Sequence, residues 1–147
     1  MTAARPSASP LVLHPSAELA KFASQLQYSD IPDAVSLRCE DLFLDTMASI
    51  LAGSGARAVK AMGKYAERMG PANGKSEDFV NRRKTSPVFA AMVNAAASHV
   101  VEQDDVHNGS VFHPAAVVFP PVLALAQALG SSGRDVLTAS VAGYEVG

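Results

Sequence analysis

Three imidazoles and three carboxylates crowd into fifteen consecutive positions, at His99, Glu102, Asp104, Asp105, His107 and His113. No other stretch of the chain gathers reactive side chains in this way. A carboxylate can orient a neighbouring imidazole so that the ring takes or gives a proton near neutral pH, and the pattern therefore points to general acid–base chemistry. The turn residues Asn108-Gly109-Ser110 can fold His113 back towards Asp104 and Asp105. A purely structural alternative stands beside this reading, in which the carboxylates cap helix ends and the histidines satisfy buried carbonyls. His99 fits that alternative best, because it sits on an alanine-rich helix face where a hydrogen-bonded core histidine is expected. Asp104, Asp105, His107 and His113 are also competent metal ligands, but their spacing matches no specific metal motif, and neither a metal nor another cofactor is expected. Nucleophilic catalysis has less support, since neither Cys39 nor any serine lies in a recognisable motif.

Aromatic residues make up only 6% of the chain while Ala and Leu are plentiful, a balance that favours an all-α fold to hold these groups. The cluster joins two apolar helices. Ser86-Pro87 opens the first, an interior helix reaching to about Glu102 and rich in small residues such as Ala90, Ala91 and Ala95 to Ala97. The second runs from Pro114 to Leu129, bent or restarted at Pro120-Pro121 and ended by Gly130. Upstream, the periodicity predicts a helix from Ser16 to about Gln27, with Leu19, Phe22, Ala23 and Leu26 on one face. A second follows from Pro32 to near Gly53, with Val35, Cys39, Leu42, Phe43, Met47, Ile50 and Leu51 as its apolar stripe. Its interior Asp45 reads as structural, pairing with an arginine or capping a neighbour. A third, Ala56 to Met69, sets Val59, Met62, Ala66 and Met69 inward and Arg57, Lys60, Lys64 and Arg68 towards solvent.

Between Gly70 and Thr85 there is no helical period, only a possible extended piece at Asp78 to Val80 and a basic run, Arg82 to Lys84, read as a solvent-facing loop outside the site. Ser132 and Asp135 have the spacing of a capping box and open a final helix through Val136, Leu137, Val141 and Tyr144. That helix has no stop signal before Gly147. A truncated chain is expected, with Leu123, Leu125, Leu129, Val136, Leu137 and Val141 left for more protein or another subunit to cover.

The chain has 147 residues, 48% of them apolar, enough for one sizeable core. Residues 1–15 read as a loose arm ahead of a domain spanning 16–147. Twelve Lys and Arg against 14 Asp and Glu give a net charge of -2, which supplies no field to gather nucleic acid. The single cysteine excludes an internal disulfide and the several thiolates of an iron–sulfur cluster, and a reducing cytoplasm fits. The longest apolar stretch, Ala115 to Ala126, is broken by prolines and too short for a membrane span, so a soluble protein is expected.

Taken in order, Phe43 to Gly53, Thr85 to Asn94, Asp104-Asp105-Val-His107 with His113-Pro114, Leu123 to Gly130 and Gly143-Tyr144-Glu145 resemble proteins of the MmgE/PrpD family. The resemblance covers nearly everything after the N-terminal arm. It implies the N-terminal part of a large helical domain, with a smaller α/β domain absent from this chain, and typically a homodimer. It implies a lyase or isomerase, a 2-methylcitrate dehydratase, cis-aconitate decarboxylase or iminodisuccinate epimerase, working on a small di- or tricarboxylate without an iron–sulfur cluster. The family's active-site acid ahead of the paired aspartates falls at Glu102, and the histidine of its His-Pro step at His113. His113 is then the acid–base group, with Asp104 and Glu102 orienting it and Asp105 and His107 on the substrate side. Glu102-Gln103 stands where many relatives carry Asp and an aromatic residue, a departure that alters the reach and polarity of the pocket. The competing readings are a helical interaction module or a metal-dependent helical hydrolase.

Overall fold

Proline opens three of the α-helices and a capping box a fourth in the computed structural model, which describes residues 14–147. Helix α1, Pro15–Gln25, opens with proline in its first turn, where no amide donor is needed. The expected arm therefore lies outside the described residues except for His14 and Pro15, and Pro15 is already helical. Helix α1 buries none of its residues, and Leu19 and Phe22 stay exposed on it. A single 3-10 turn at Tyr28–Asp30 leads into α2, Asp33–Gly53, and then α3, Arg57–Met69.

Helix α4 spans Pro87–His99, α5 Pro114–Leu129 and α6 Gly133–Val146. The Ser132 hydroxyl accepts the Asp135 amide, and the Asp135 carboxylate accepts the Ser132 amide at 2.8 Å, which is the expected capping box. Those bonds hold the Asp135 carboxyl below its ordinary range. Gly130 ends α5 in the left-handed region at φ 72°.

Helix α4 stops three residues before the expected Glu102, because Glu102 itself takes a φ of 52° and turns the chain out of the helix. Helix α5, by contrast, is not restarted at its prolines but continues through Pro120 and Pro121. The two missing amides leave two carbonyls in its first half without helical donors. Burial of Pro114, Ala115, Ala116, Val118, Phe119, Pro120, Ala124 and Ala126 outweighs that loss.

The all-α framework carries one small sheet. Strand β1, Ser76–Asp78, pairs antiparallel with β2, Arg83–Thr85, setting Ser76 opposite Thr85. The extended piece thus begins two residues earlier than the sequence predicts. Asp78 ends it by accepting the Val80 and Asn81 amides with one carboxylate oxygen, which winds those residues into the turn. The basic run is not a loose loop either, since Arg83 and Lys84 belong to β2 and Arg82 and Lys84 each pair with Glu77 at 2.9 Å. The hydrogen bond from Lys84 is the chief reason that the Glu77 carboxyl sits below its usual range. Side chains of the large helices fix the hairpin. Asn94 accepts the Phe79 amide and donates to the Glu77 carbonyl, both at 2.9 Å, while Gln127 accepts the Glu77 amide at 2.7 Å.

Two apolar clusters flank α4 and α5. Ile50, Val59, Ala66, Val93 and Ala97 join α2, α3 and α4, whereas Ile31, Cys39, Ala115, Phe119 and Val141 join α2, α5 and α6. Val141 is thereby covered, contrary to expectation, while Leu125 and Leu129 remain exposed. Gly53 permits the contact of α2 with α4, since a Cβ there would lie 2.0 Å from the Ala97 carbonyl oxygen. Burial and the nearby Glu40 push the Cys39 thiol up, consistent with a packing role. Asp45 is exposed and, among the described residues, makes neither the ion pair nor the cap expected of it. No described helix is long and apolar enough to cross a membrane.

Candidate active site

The end of α4 and the start of α5 face each other across residues 100–113, and this confrontation builds the site. His99 is the last residue of α4 and His113 is the N-cap residue of α5. Between them the chain turns at Glu102, whose amide donates to the His99 carbonyl at 2.9 Å, and returns so that Asp104 lies beneath both rings. The Asp104 side chain has no solvent exposure. Its Oδ2 lies 3.1 Å from His99 Nδ1 and its Oδ1 lies 3.4 Å from His113 Nδ1. The first contact is a hydrogen bond. The second lacks hydrogen-bond geometry, and the buried His113 Nδ1 has no hydrogen-bond partner among the described residues. The two rings meet edge to face with centroids 4.8 Å apart.

One buried carboxylate therefore serves two imidazoles. Nδ1 is the nitrogen that faces Asp104 in both rings. Glu102 approaches His99 Nε2 at 3.5 Å from an exposed position, with 71% of its side chain accessible. His113 is the more enclosed ring, 26% exposed against 44% for His99.

Asp105 does different work. Its Oδ1 accepts the Ala115 amide at 2.9 Å, tying down the first turn of α5, and its Oδ2 accepts the Tyr144 hydroxyl at 2.8 Å. Burial, reinforced by that hydrogen bond, pushes the Tyr144 phenol well above its ordinary range. Tyr144 in turn packs on Phe119, with centroids 5.6 Å apart. Asp105 thus braces the helix that carries His113, and both its oxygens are engaged away from the imidazole pair. His107 also stands apart. It is exposed in a small turn closed by its amide to the Phe112 carbonyl at 2.7 Å, with its Nδ1 2.9 Å from the Ser110 hydroxyl.

The structure thus brings Asp104, His113 and, at the rim, Glu102 together, and sets Asp105 and His107 elsewhere. It also gathers His99, which sequence reasoning had assigned to the core. That residue is hydrogen-bonded as expected, but to Asp104 rather than a carbonyl, and it is partly exposed. The available signal was an aspartate five residues after a histidine at a helix end. The helical period and the Gly143-Tyr144-Glu145 stretch single out Tyr144 without indicating its hydrogen bond to Asp105. The four ligands considered for a metal are not assembled, because Asp105 is occupied and His107 points elsewhere. Among the described residues the set able to hold a cation is His99, Asp104 and His113, whose ligand atoms lie within 4.8 Å of one another.

Residues 17–147 match the MmgE/PrpD N-terminal domain. The chain belongs to the MmgE/PrpD family. Its relatives include a cis-aconitate decarboxylase-like protein of Aspergillus oryzae, 34% identical over 142 residues, which cover 89% of this chain and 28% of that protein. A cis-aconitate decarboxylase of Aspergillus terreus is 35% identical over 138 residues, covering 89% of this chain and 28% of its own length. The human cis-aconitate decarboxylase is 28% identical over 125 residues, covering 82% and 26%. The chain thus spans about a quarter of the length of the curated relatives it matches. No solved structure matches it.

Proposed function

We propose that this chain is the N-terminal part of an MmgE/PrpD-type lyase that moves protons on a small di- or tricarboxylate, with cis-aconitate the first candidate and a 2-methylcitrate dehydratase-like reaction the second. The observation that carries the reading is the wholly buried Asp104 carboxylate between the His99 and His113 rings. A buried carboxylate beside an imidazole balances the charge of its protonated form, so that Nε2 of His113 can deliver or withdraw a proton. In a decarboxylation the bond between a carboxyl carbon and the skeleton breaks, CO2 leaves, and the retained electron pair is quenched by a proton on carbon. On this reading His113 supplies that proton and recovers one from water. Glu102 and His99 line the approach, and Asp105 with Tyr144 positions the helix that holds His113.

The relatives' names favour decarboxylation over dehydration. Substrate charge needs cationic partners, and no Lys or Arg occurs between Lys84 and Arg134. The cationic groups of the site are thus expected from protein beyond this segment, and the segment alone is expected to be inactive. A form spanning the relatives' full length, assayed with cis-aconitate and with 2-methylcitrate, tests the reading. Release of CO2 from cis-aconitate supports it. Turnover of neither acid overturns it.

A further inference from the structure

A second cluster of chemistry lies away from the imidazole pair, between α3 and the hairpin. A cavity of about 390 Å³ is lined by Lys60, Gly63, Lys64 and Glu67 of α3 and by Asn81 and Arg83 of the hairpin. Three cations and one carboxylate give it a formal charge of +2. Its cations are unspent. Among the described residues, none of Lys60, Lys64 and Arg83 forms an ion pair, whereas Arg82 and Lys84 next door share Glu77.

The cavity is built on a fixed frame. Lys60 and Lys64 lie one helical turn apart and project from the same face of α3. Gly63 lets the hairpin approach, because a Cβ there would meet the Asn81 side-chain nitrogen at 2.5 Å. Asp78, itself buried, holds the turn by accepting the Val80 and Asn81 amides and the Asn81 side-chain amide. Arg83 is anchored through one terminal nitrogen, Nη2, which donates to the Glu67 and Gly70 carbonyls at 3.3 and 3.2 Å. A guanidinium has five N–H donors, so Nε and Nη1 retain theirs for a guest. A pre-positioned arginine fork beside two free ammonium groups is the donor set that recognises phosphate and carboxylate oxygens.

We infer that this cavity is a binding site for a small anion carrying two or more negative charges on phosphate or carboxylate groups. It is separate from the His99–Asp104–His113 cluster and shares no residue with it. The single charge of chloride gains too little from these donors to compete.

The test is a titration of the 147-residue chain, followed by amide NMR and calorimetry, with inorganic phosphate and with propane-1,2,3-tricarboxylate as probes. Saturable binding of either, with shifts centred on α3 and the hairpin turn, is the expected result, and the tighter probe names the class. In the double variant Lys60→Gln/Lys64→Gln, whose changed side chains are both exposed, affinity is expected to fall on the order of tenfold with thermal stability kept. His113→Ala is expected to leave this binding unchanged, so that failure here and failure of the proton-transfer reading are distinguishable. Absence of saturable binding, or binding that survives Lys60→Gln/Lys64→Gln and is lost in His113→Ala, overturns the inference.

Discussion

Tyr144→Phe removes one oxygen atom and tests how the helix that follows His113 is held. The Tyr144 hydroxyl donates to Asp105 Oδ2 at 2.8 Å, and the other oxygen of Asp105 accepts the Ala115 amide at the start of α5. Phenylalanine keeps the ring and its packing on Phe119, so the change isolates the hydrogen bond. A hydrogen bond to a charged group contributes about 1.5–3 kcal/mol, and the partial exposure of both partners places the expectation at the lower end, about 1.5 kcal/mol. In a domain of this size that corresponds to a fall in Tm of roughly 3–6 °C. Urea unfolding followed by circular dichroism should show a lower midpoint with an unchanged slope. Asp105→Asn in combination should cost less than the sum of the two single changes, because both break the same bond.

The pH dependence of the same variant carries a sign. Burial and Asp105 raise the Tyr144 phenol above its ordinary value of 10.0 in the folded state. The folded protein therefore retains a proton that the unfolded chain loses, and this contribution is fully present below pH 10 and is lost as pH rises beyond it. The stability difference between wild type and Tyr144→Phe should consequently shrink above that pH. A variant within about 0.3 kcal/mol of wild type, or a difference that stays constant to about pH 11, refutes the role given to this bond.

Three further outcomes follow from packing and site chemistry. Gly53→Ala forces a Cβ to within 2.0 Å of the Ala97 carbonyl oxygen, so α2 and α4 must separate, and chemical denaturation should show a loss of about 3 kcal/mol or failure to fold. Ser132→Ala breaks the capping box of α6 and should lower stability by about 1 kcal/mol, read from the urea midpoint. Dialysis against a chelator should leave Tm unchanged and elemental analysis should find no stoichiometric transition metal, and a single tightly bound ion per chain would instead assign His99, Asp104 and His113 as its ligands.

Helix order and most helix starts were legible because their signals are local. Ser86-Pro87, Pro114, the Ser132–Asp135 box and Gly130 each act within one turn of the chain. The hairpin was obscured because its strands have only three residues each and are held by Asn94 and Gln127, which lie 15 to 50 positions away from their partners. Continuity through Pro120-Pro121 depends on burial that no local rule reports. In the site, the spacing of Asp104 and His113 with a turn between them made their proximity legible, and the structure brings them to 3.4 Å. The place of His99 was hidden by the left-handed turn at Glu102, which ends α4 early and sends Asp104 back beneath it. The bracing role of Asp105 rests on contacts with Ala115 and Tyr144, 10 and 39 residues on, which the local sequence does not report.

The central measurement is the turnover of cis-aconitate by His113→Gln in a form of the protein that spans the relatives' full length, with CO2 release followed directly and folding checked by Tm. Glutamine keeps a polar side chain but cannot transfer the proton. The expected result is a fall in kcat on the order of a hundredfold or more, with KM changed little and Tm kept within a few degrees. A well-folded variant that releases CO2 at the wild-type rate contradicts the acid–base role of His113.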